Sequence, residues 1–111
     1  MTYTTLSLRK NIEDGSIVRF DTQDGPVAIC NVGGNFYTIS DTCTHGEWAL
    51  SQGWLEGHTI ECSLHMAKFD VRTGAVLSPP ATCPVKSYAT RILGDEVQVD
   101  IPESAHAAGR S

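Results

Sequence analysis

The chain has no long apolar run, no helical periodicity, no surplus of Lys and Arg and, across its middle, no Lys or Arg at all. Nothing approaches the roughly 18 consecutive apolar residues needed to cross a bilayer, so no membrane association is expected. Met1 to Asn11 lacks the apolar core of a secretory signal. These absences predict a cytoplasmic protein, in which Cys and His point to metal or redox chemistry rather than disulfides. The 111 residues leave no room for a nucleotide-binding domain beside a catalytic one; a chain this long forms one domain that buries about 65% of its unfolded surface. From Phe20 to Ala67 there is no Lys or Arg, yet Asp21, Asp24, Asp41, Glu47, Glu56 and Glu61 lie there. The remaining seven acids and eight bases leave one surplus base, so six central acids less that one give the net charge of -5. A nucleic-acid partner, which needs a basic footprint, is therefore excluded.

What is present reads as all-β. Short β-branched or aromatic runs recur between Gly, Asn and Asp at strand-and-turn spacing. Strands are predicted at Ser16 to Asp21, Pro26 to Val32 and Phe36 to Ser40, separated by turns at Gln23-Asp24-Gly25 and Gly33-Gly34-Asn35. Further strands are expected at His58 to Glu61, Lys68 to Arg72, Ala75 to Leu77, Val85 to Ile92 and Glu96 to Ile101. The expected organisation is a single domain over 1–101 followed by a flexible tail at 102–111. Residues 41–66 interrupt the strand rhythm with Cys, His, Gly and Trp; an interval of that kind inside a compact domain is usually functional.

The interval holds Cys43-Thr44-His45 and, after the sixteen residues 46–61, Cys62-Ser63-Leu64-His65. Ligands one or two residues apart reach one metal from a single tight loop, and two such loops can grip it from opposite sides. A C2H2 zinc finger would instead place both Cys in one pair and both His in the other. Spacing alone leaves open a zinc-holding module that uses the same four ligands.

These two mixed pairs resemble the Rieske 2Fe-2S motif. With Cys43-Thr44-His45-Gly46-Glu47-Trp48 and Gly53-Trp54-Leu55-Glu56-Gly57, the chain is similar to the small ferredoxins of bacterial aromatic-ring dioxygenases, over most of its length. The resemblance implies an antiparallel β-sandwich or barrel base carrying a small cluster-binding subdomain of two loops at about 41–66. It implies a 2Fe-2S cluster, with Cys43 and Cys62 on the inner iron and His45 and His65 on the outer. Two neutral imidazoles in place of two thiolates make the centre less negative, which raises its potential above that of an all-Cys centre.

The departures from the high-potential Rieske branch are also informative. The two Cys that form a disulfide there are Trp48 and Leu64 here, and the Ser and Tyr whose hydroxyls donate to cluster and ligand sulfurs are Ala67 and Phe69. Fewer donors stabilise the reduced centre less, which predicts a potential near the low end of the Rieske range, roughly -150 mV. Pro79-Pro80 resembles the family's loop over the third side of the cluster. Trp48, Leu50, Trp54, Leu64 and Met66 are candidates for an apolar collar around it, or in part for the core, with the two Trp open to burial under the cluster loops. Cys30 reads as a small core residue, Cys83 has no assigned role, and His58 and His106 are not expected as ligands.

The resemblance further implies a monomeric one-electron carrier, not itself catalytic. It would accept electrons from a flavoprotein ferredoxin reductase that uses NADH and pass them to a terminal Rieske oxygenase. The chain offers no further candidates for that oxygenase's mononuclear iron. A redox subunit fixed permanently to a larger reductase is the other reading. The central acids are expected to steer docking onto basic partner surfaces.

Overall fold

The computed structural model describes residues 3–41, 49–62, 67–78 and 84–101. The tail expected at 102–111 lies outside the described residues. Eleven strands run through the described residues: β1 (Tyr3–Leu8), β2 (Ile17–Thr22), β3 (Gly25–Val32), β4 (Asn35–Ser40), β5 (Trp54–Glu56), β6 (Thr59–Glu61), β7 (Lys68–Asp70), β8 (Val76–Ser78), β9 (Ser87–Tyr88), β10 (Thr90–Leu93) and β11 (Glu96–Asp100). They form three antiparallel sheets, ordered β1-β11-β10, β2-β3-β4-β9 and β5-β6-β7-β8. The only helical pieces among the described residues are single 3-10 turns at Arg9–Asn11 and Leu50–Gln52. No helix is long and apolar enough to cross a membrane. The all-β expectation holds.

The middle sheet organises the rest because β3 is buried on both faces. Its residues alternate in direction, so Val27 and Ile29 enter one core while Ala28 and Cys30 enter another. The first core packs Val27 and Ile29 against Val97, Val99 and Ile101 from the C-terminal strand region. The second packs Ala28, Cys30 and Ile39 against Leu50, Ile60, Cys62, Ala67 and Phe69. Burying an aliphatic side chain is worth about 1.5–3 kcal/mol, so the middle sheet is held from both sides and makes a rigid base for the third sheet. The β3–β4 hairpin closes with Val32 opposite Asn35. Gly33 and Gly34 between them both have positive φ, 62° and 93°, the two-residue turn that side chains with a β-carbon rarely adopt.

Three expectations change. β1 has no counterpart in the sequence reading, because what stabilises Tyr3–Leu8 is pairing with β11, with Tyr3 opposite Asp100 and Leu8 opposite Glu96. The single strand expected at Val85 to Ile92 is two strands. β9 pairs with β4 in the middle sheet, and after Ala89 the chain crosses to pair as β10 with β11. Finally, Trp54–Glu56, inside the irregular interval, is a strand that pairs with β6, Leu55 lying opposite Ile60.

Candidate metal centre

Cys62 directly follows β6 at the mouth of the β6–β7 hairpin. Glu61 lies opposite Lys68, and one residue further the Cys62 N–H donates to the Ala67 carbonyl at 2.8 Å. The hairpin is thus closed on both sides of 63–66, the segment that carries the expected ligand His65. Cys62 is fully buried and unpaired. Its neighbours in the core include Leu50, Ala67 and Phe69.

The segment with the other two expected ligands is also closed at its base. Asp41 follows β4, and its carbonyl accepts from the Leu50 N–H at 2.7 Å. Its carboxylate accepts from the Ser51 N–H at 2.6 Å and the Ser51 hydroxyl at 2.8 Å. The two bases adjoin. A β-carbon at Gly53 would run into the Glu61 carbonyl, so only glycine lets the chain after Leu50–Gln52 pass this close to β6. The third segment begins beside them, since Ser78 lies opposite Lys68. It returns through Val85, whose N–H donates to Gly74 at 2.9 Å, and Lys86, whose carbonyl accepts from Ser40 at 2.8 Å.

The described closures that flank the three segments therefore lie at one end of the middle and third sheets. Of the expected ligands, the structure places Cys62; Cys43, His45 and His65 lie outside the described residues, as do Trp48, Leu64, Met66, Pro79, Pro80, Cys83 and His106. Among the described residues, no group of three or more His, Cys, Asp or Glu is arranged to hold a metal. His58 sits in the β5–β6 turn with its ring edge-on to Tyr37 at 5.6 Å.

The surroundings of Cys62 are apolar. Ala67 and Phe69 are fully buried, and neither side chain can donate a hydrogen bond. Leu50 is core, not collar: it is fully buried in the cluster that also holds Ile39 and Cys62. Trp54 is 48% exposed and remains available to a partner. Cys30 is core as expected, and burial first, then the negative charge of Asp41, push its thiol up to about 12.

The central acids do not form one exposed face. Asp41 and Glu61 are buried. Asp24 accepts from Lys86 at 2.7 Å and from the Tyr88 hydroxyl at 2.7 Å. Asp21 lies 3.4 Å from Arg19. Lys86 and Arg19, outside the acidic stretch in sequence, fold back onto it, leaving Asp21 and Glu56 as its exposed acids among the described residues.

The brace made by Asp24, Lys86 and Tyr88 ties the β2–β3 turn to the segment returning from 79–83. Hydrogen bonds from Lys86 and then Tyr88 hold the Asp24 carboxyl below its ordinary value. A depressed folded value means that stability is present above the unfolded range, about pH 4, and is lost as pH falls through the lower folded value. Asp24→Asn is therefore expected to lower the melting temperature at pH 7. The deficit should shrink towards zero on acidification; a thermal melt series across pH checks this.

In the sequence Asp41 stands out only as one of six central acids and Gly53 only as part of Gly53-Trp54-Leu55-Glu56-Gly57, and Ser51 carries no signal, because a Ser ten residues beyond an acid leaves no periodic trace.

The model of the family described as Rieske [2Fe-2S] domain matches residues 3–89. The chain belongs to the Rieske [2Fe-2S] domain family. The Rieske chain is 42% identical over 101 residues to the ferredoxin component of biphenyl 2,3-dioxygenase from Rhodococcus jostii (strain RHA1), covering 91% of this chain and 94% of the relative. It is 46% identical over 106 residues to the biphenyl dioxygenase ferredoxin subunit of Pseudomonas sp. (strain KKS102), covering 95% and 97%. A solved chain from the complex of reduced oxygenase and oxidised ferredoxin in carbazole 1,9a-dioxygenase superposes with a TM-score of 0.83 at 36% identity, covering 87% of this chain and 91% of that one. The cofactor of this Rieske chain is the 2Fe-2S cluster. What the structure describes of the motif fits it: Cys62 lies buried at a closed hairpin mouth in an apolar setting, and a thiol is a donor such a cluster takes.

The Rieske setting gives Ala67 a second use. Ala67→Ser would add a hydroxyl donor in the core that holds Cys62, favouring the more negative reduced centre. The midpoint potential is expected to rise by roughly 60 mV, a tenfold change in the one-electron equilibrium; a redox titration of both proteins checks this.

Proposed function

We propose that this Rieske chain is the ferredoxin component of an aromatic-ring dioxygenase system, a one-electron carrier and not itself a catalyst. The observation that carries the reading is co-extension: two biphenyl dioxygenase ferredoxin components align over 94% and 97% of their own lengths. Cys43 and Cys62 would hold the inner iron, and His45 and His65 the outer. When bound, the cluster supplies exchange of one electron at a time. The domain is 1–101, with the cluster-holding interval at 41–66. The donor is an NADH-dependent flavoprotein reductase and the acceptor a terminal Rieske oxygenase. The carrier works as a monomer in the cytoplasm, away from membranes.

The chain's own residues do three things for this role. The middle sheet fixes the base, the closures at Asp41 and Cys62 present the ligand segments from one end, and buried Leu50, Ala67 and Phe69 keep water from the Cys62 side. With its acids mostly buried or paired, the carrier is expected to show a shallow salt dependence of transfer. This replaces the steep dependence that a uniformly acidic face implies.

The test is reconstitution with a flavoprotein reductase, NADH and a terminal oxygenase of the biphenyl type. Product formation should require the cluster-loaded chain and rise with its concentration. Turnover that is indifferent to the chain would overturn the reading.

A further inference from the structure

We infer that Asp41 is a positioning residue for the ligand segment 42–48 whose buried negative charge also holds the cluster's reduction potential down. The inference rests on the ligand reading above. Asp41 is 1% exposed and joins the base of that segment by four contacts. Its N–H donates to the Pro26 carbonyl at 3.0 Å, and its carbonyl accepts from Leu50 at 2.7 Å. Its two carboxylate oxygens take the Ser51 N–H and hydroxyl at 2.6 and 2.8 Å. Cys43 is two residues on, within about 7 Å of backbone reach, and Leu50 packs in the same core as Cys62.

A carboxylate this deep is costly unless it is compensated. Its compensation comes from two Ser51 bonds and from Arg19, whose Nε stands 3.7 Å from Asp41 Oδ2. Arg19 is half exposed, so water screens its charge, whereas the field of Asp41 spreads through protein of lower dielectric. That field reaches the same core: it is one of the two causes that push Cys30 up. A negative charge nearby disfavours adding an electron, so the sign is fixed. Removing Asp41's charge raises the potential, and removing Arg19's lowers it.

The experiment is a redox titration of the cluster-loaded parent, Asp41→Asn, Ser51→Ala and Arg19→Gln, with EPR of each reduced form. Asp41→Asn keeps an oxygen acceptor but loses the charge. It should favour reduction about tenfold, 59 mV for one electron, with the parent EPR signal. Arg19→Gln, at the surface, should disfavour reduction by about threefold. Ser51→Ala keeps the carboxylate and should lose the cluster faster on heating without a rise in potential. An unmoved potential in loaded Asp41→Asn overturns the inference, as does a rise of equal size in Ser51→Ala, which would make loosening the cause. If Asp41→Asn does not load, Arg19→Gln decides, and a potential unchanged or raised overturns the charge role. A parent without a Rieske EPR signal would instead sink the ligand reading itself.

Discussion

Cys62→Ala is expected to yield a folded, colourless chain without iron, whose electron-transfer activity is lost entirely. Cys30→Ala, altering a thiol buried in the same core, should keep its colour and its activity. The contrast follows from position. Cys62 stands at the mouth of a hairpin that is closed on both sides of the His65 segment, whereas Cys30 lies mid-strand, opposite Ile17 and Tyr37. With Cys62 as one of the four proposed ligands, its removal would leave the cluster one donor short beside apolar side chains that supply no replacement. The visible spectrum and iron content of the two variants decide it. Full iron in Cys62→Ala would remove this residue from the ligand set.

Phe69→Ala is expected to cost about 3–5 kcal/mol and to lower the melting temperature by roughly 15 °C or more. Phe69 is the largest side chain among the fully buried residues described. It lies opposite Ile60 on β6 and packs in the core that also holds Leu50, Cys62 and Ala67. Its loss leaves a cavity in the core that holds Cys62, so the cluster should also leave faster on heating. Leu77→Ala, at a half-exposed position on β8, should cost less than 1 kcal/mol and serves as the comparison. Thermal melts followed at the cluster absorbance and by circular dichroism separate cluster loss from unfolding. Equal melting temperatures for the two variants would contradict the packing assigned to Phe69.

Those two residues illustrate what the sequence makes legible. Cys62 can be proposed from the sequence because the C-x-x-H spacing is local and is recognised without knowing the fold. Hairpins such as β3–β4 are readable for the same reason, since Gly33-Gly34 specifies its own turn. β1 is not, because Tyr3–Leu8 owes its strand to a partner more than ninety residues away. The crossing at Ala89 is equally hidden: Val85 to Ile92 has a continuous strand composition, and only the positions of β4 and β11 split it between two sheets. Leu50 looks like a collar residue beside Trp48, yet it is fully buried in the core that holds Cys62. Charge was the least legible feature. Six acids in a stretch without Lys or Arg suggest an exposed acidic face, but burial of Asp41 and Glu61 and the reach of Lys86 to Asp24 take away three of the six.

The bases of the three segments are thus fixed by backbone closures and by glycine at position 53, while the chemistry of the ligands is set by the motif. Metal and sulfide analysis of the purified chain, together with EPR before and after one-electron reduction, decides whether it holds the cluster. Two irons and two sulfides per chain are expected, in a brown protein with the signal of a Cys2His2-ligated 2Fe-2S centre that appears only on reduction. A colourless chain with one zinc and no signal on reduction would contradict this.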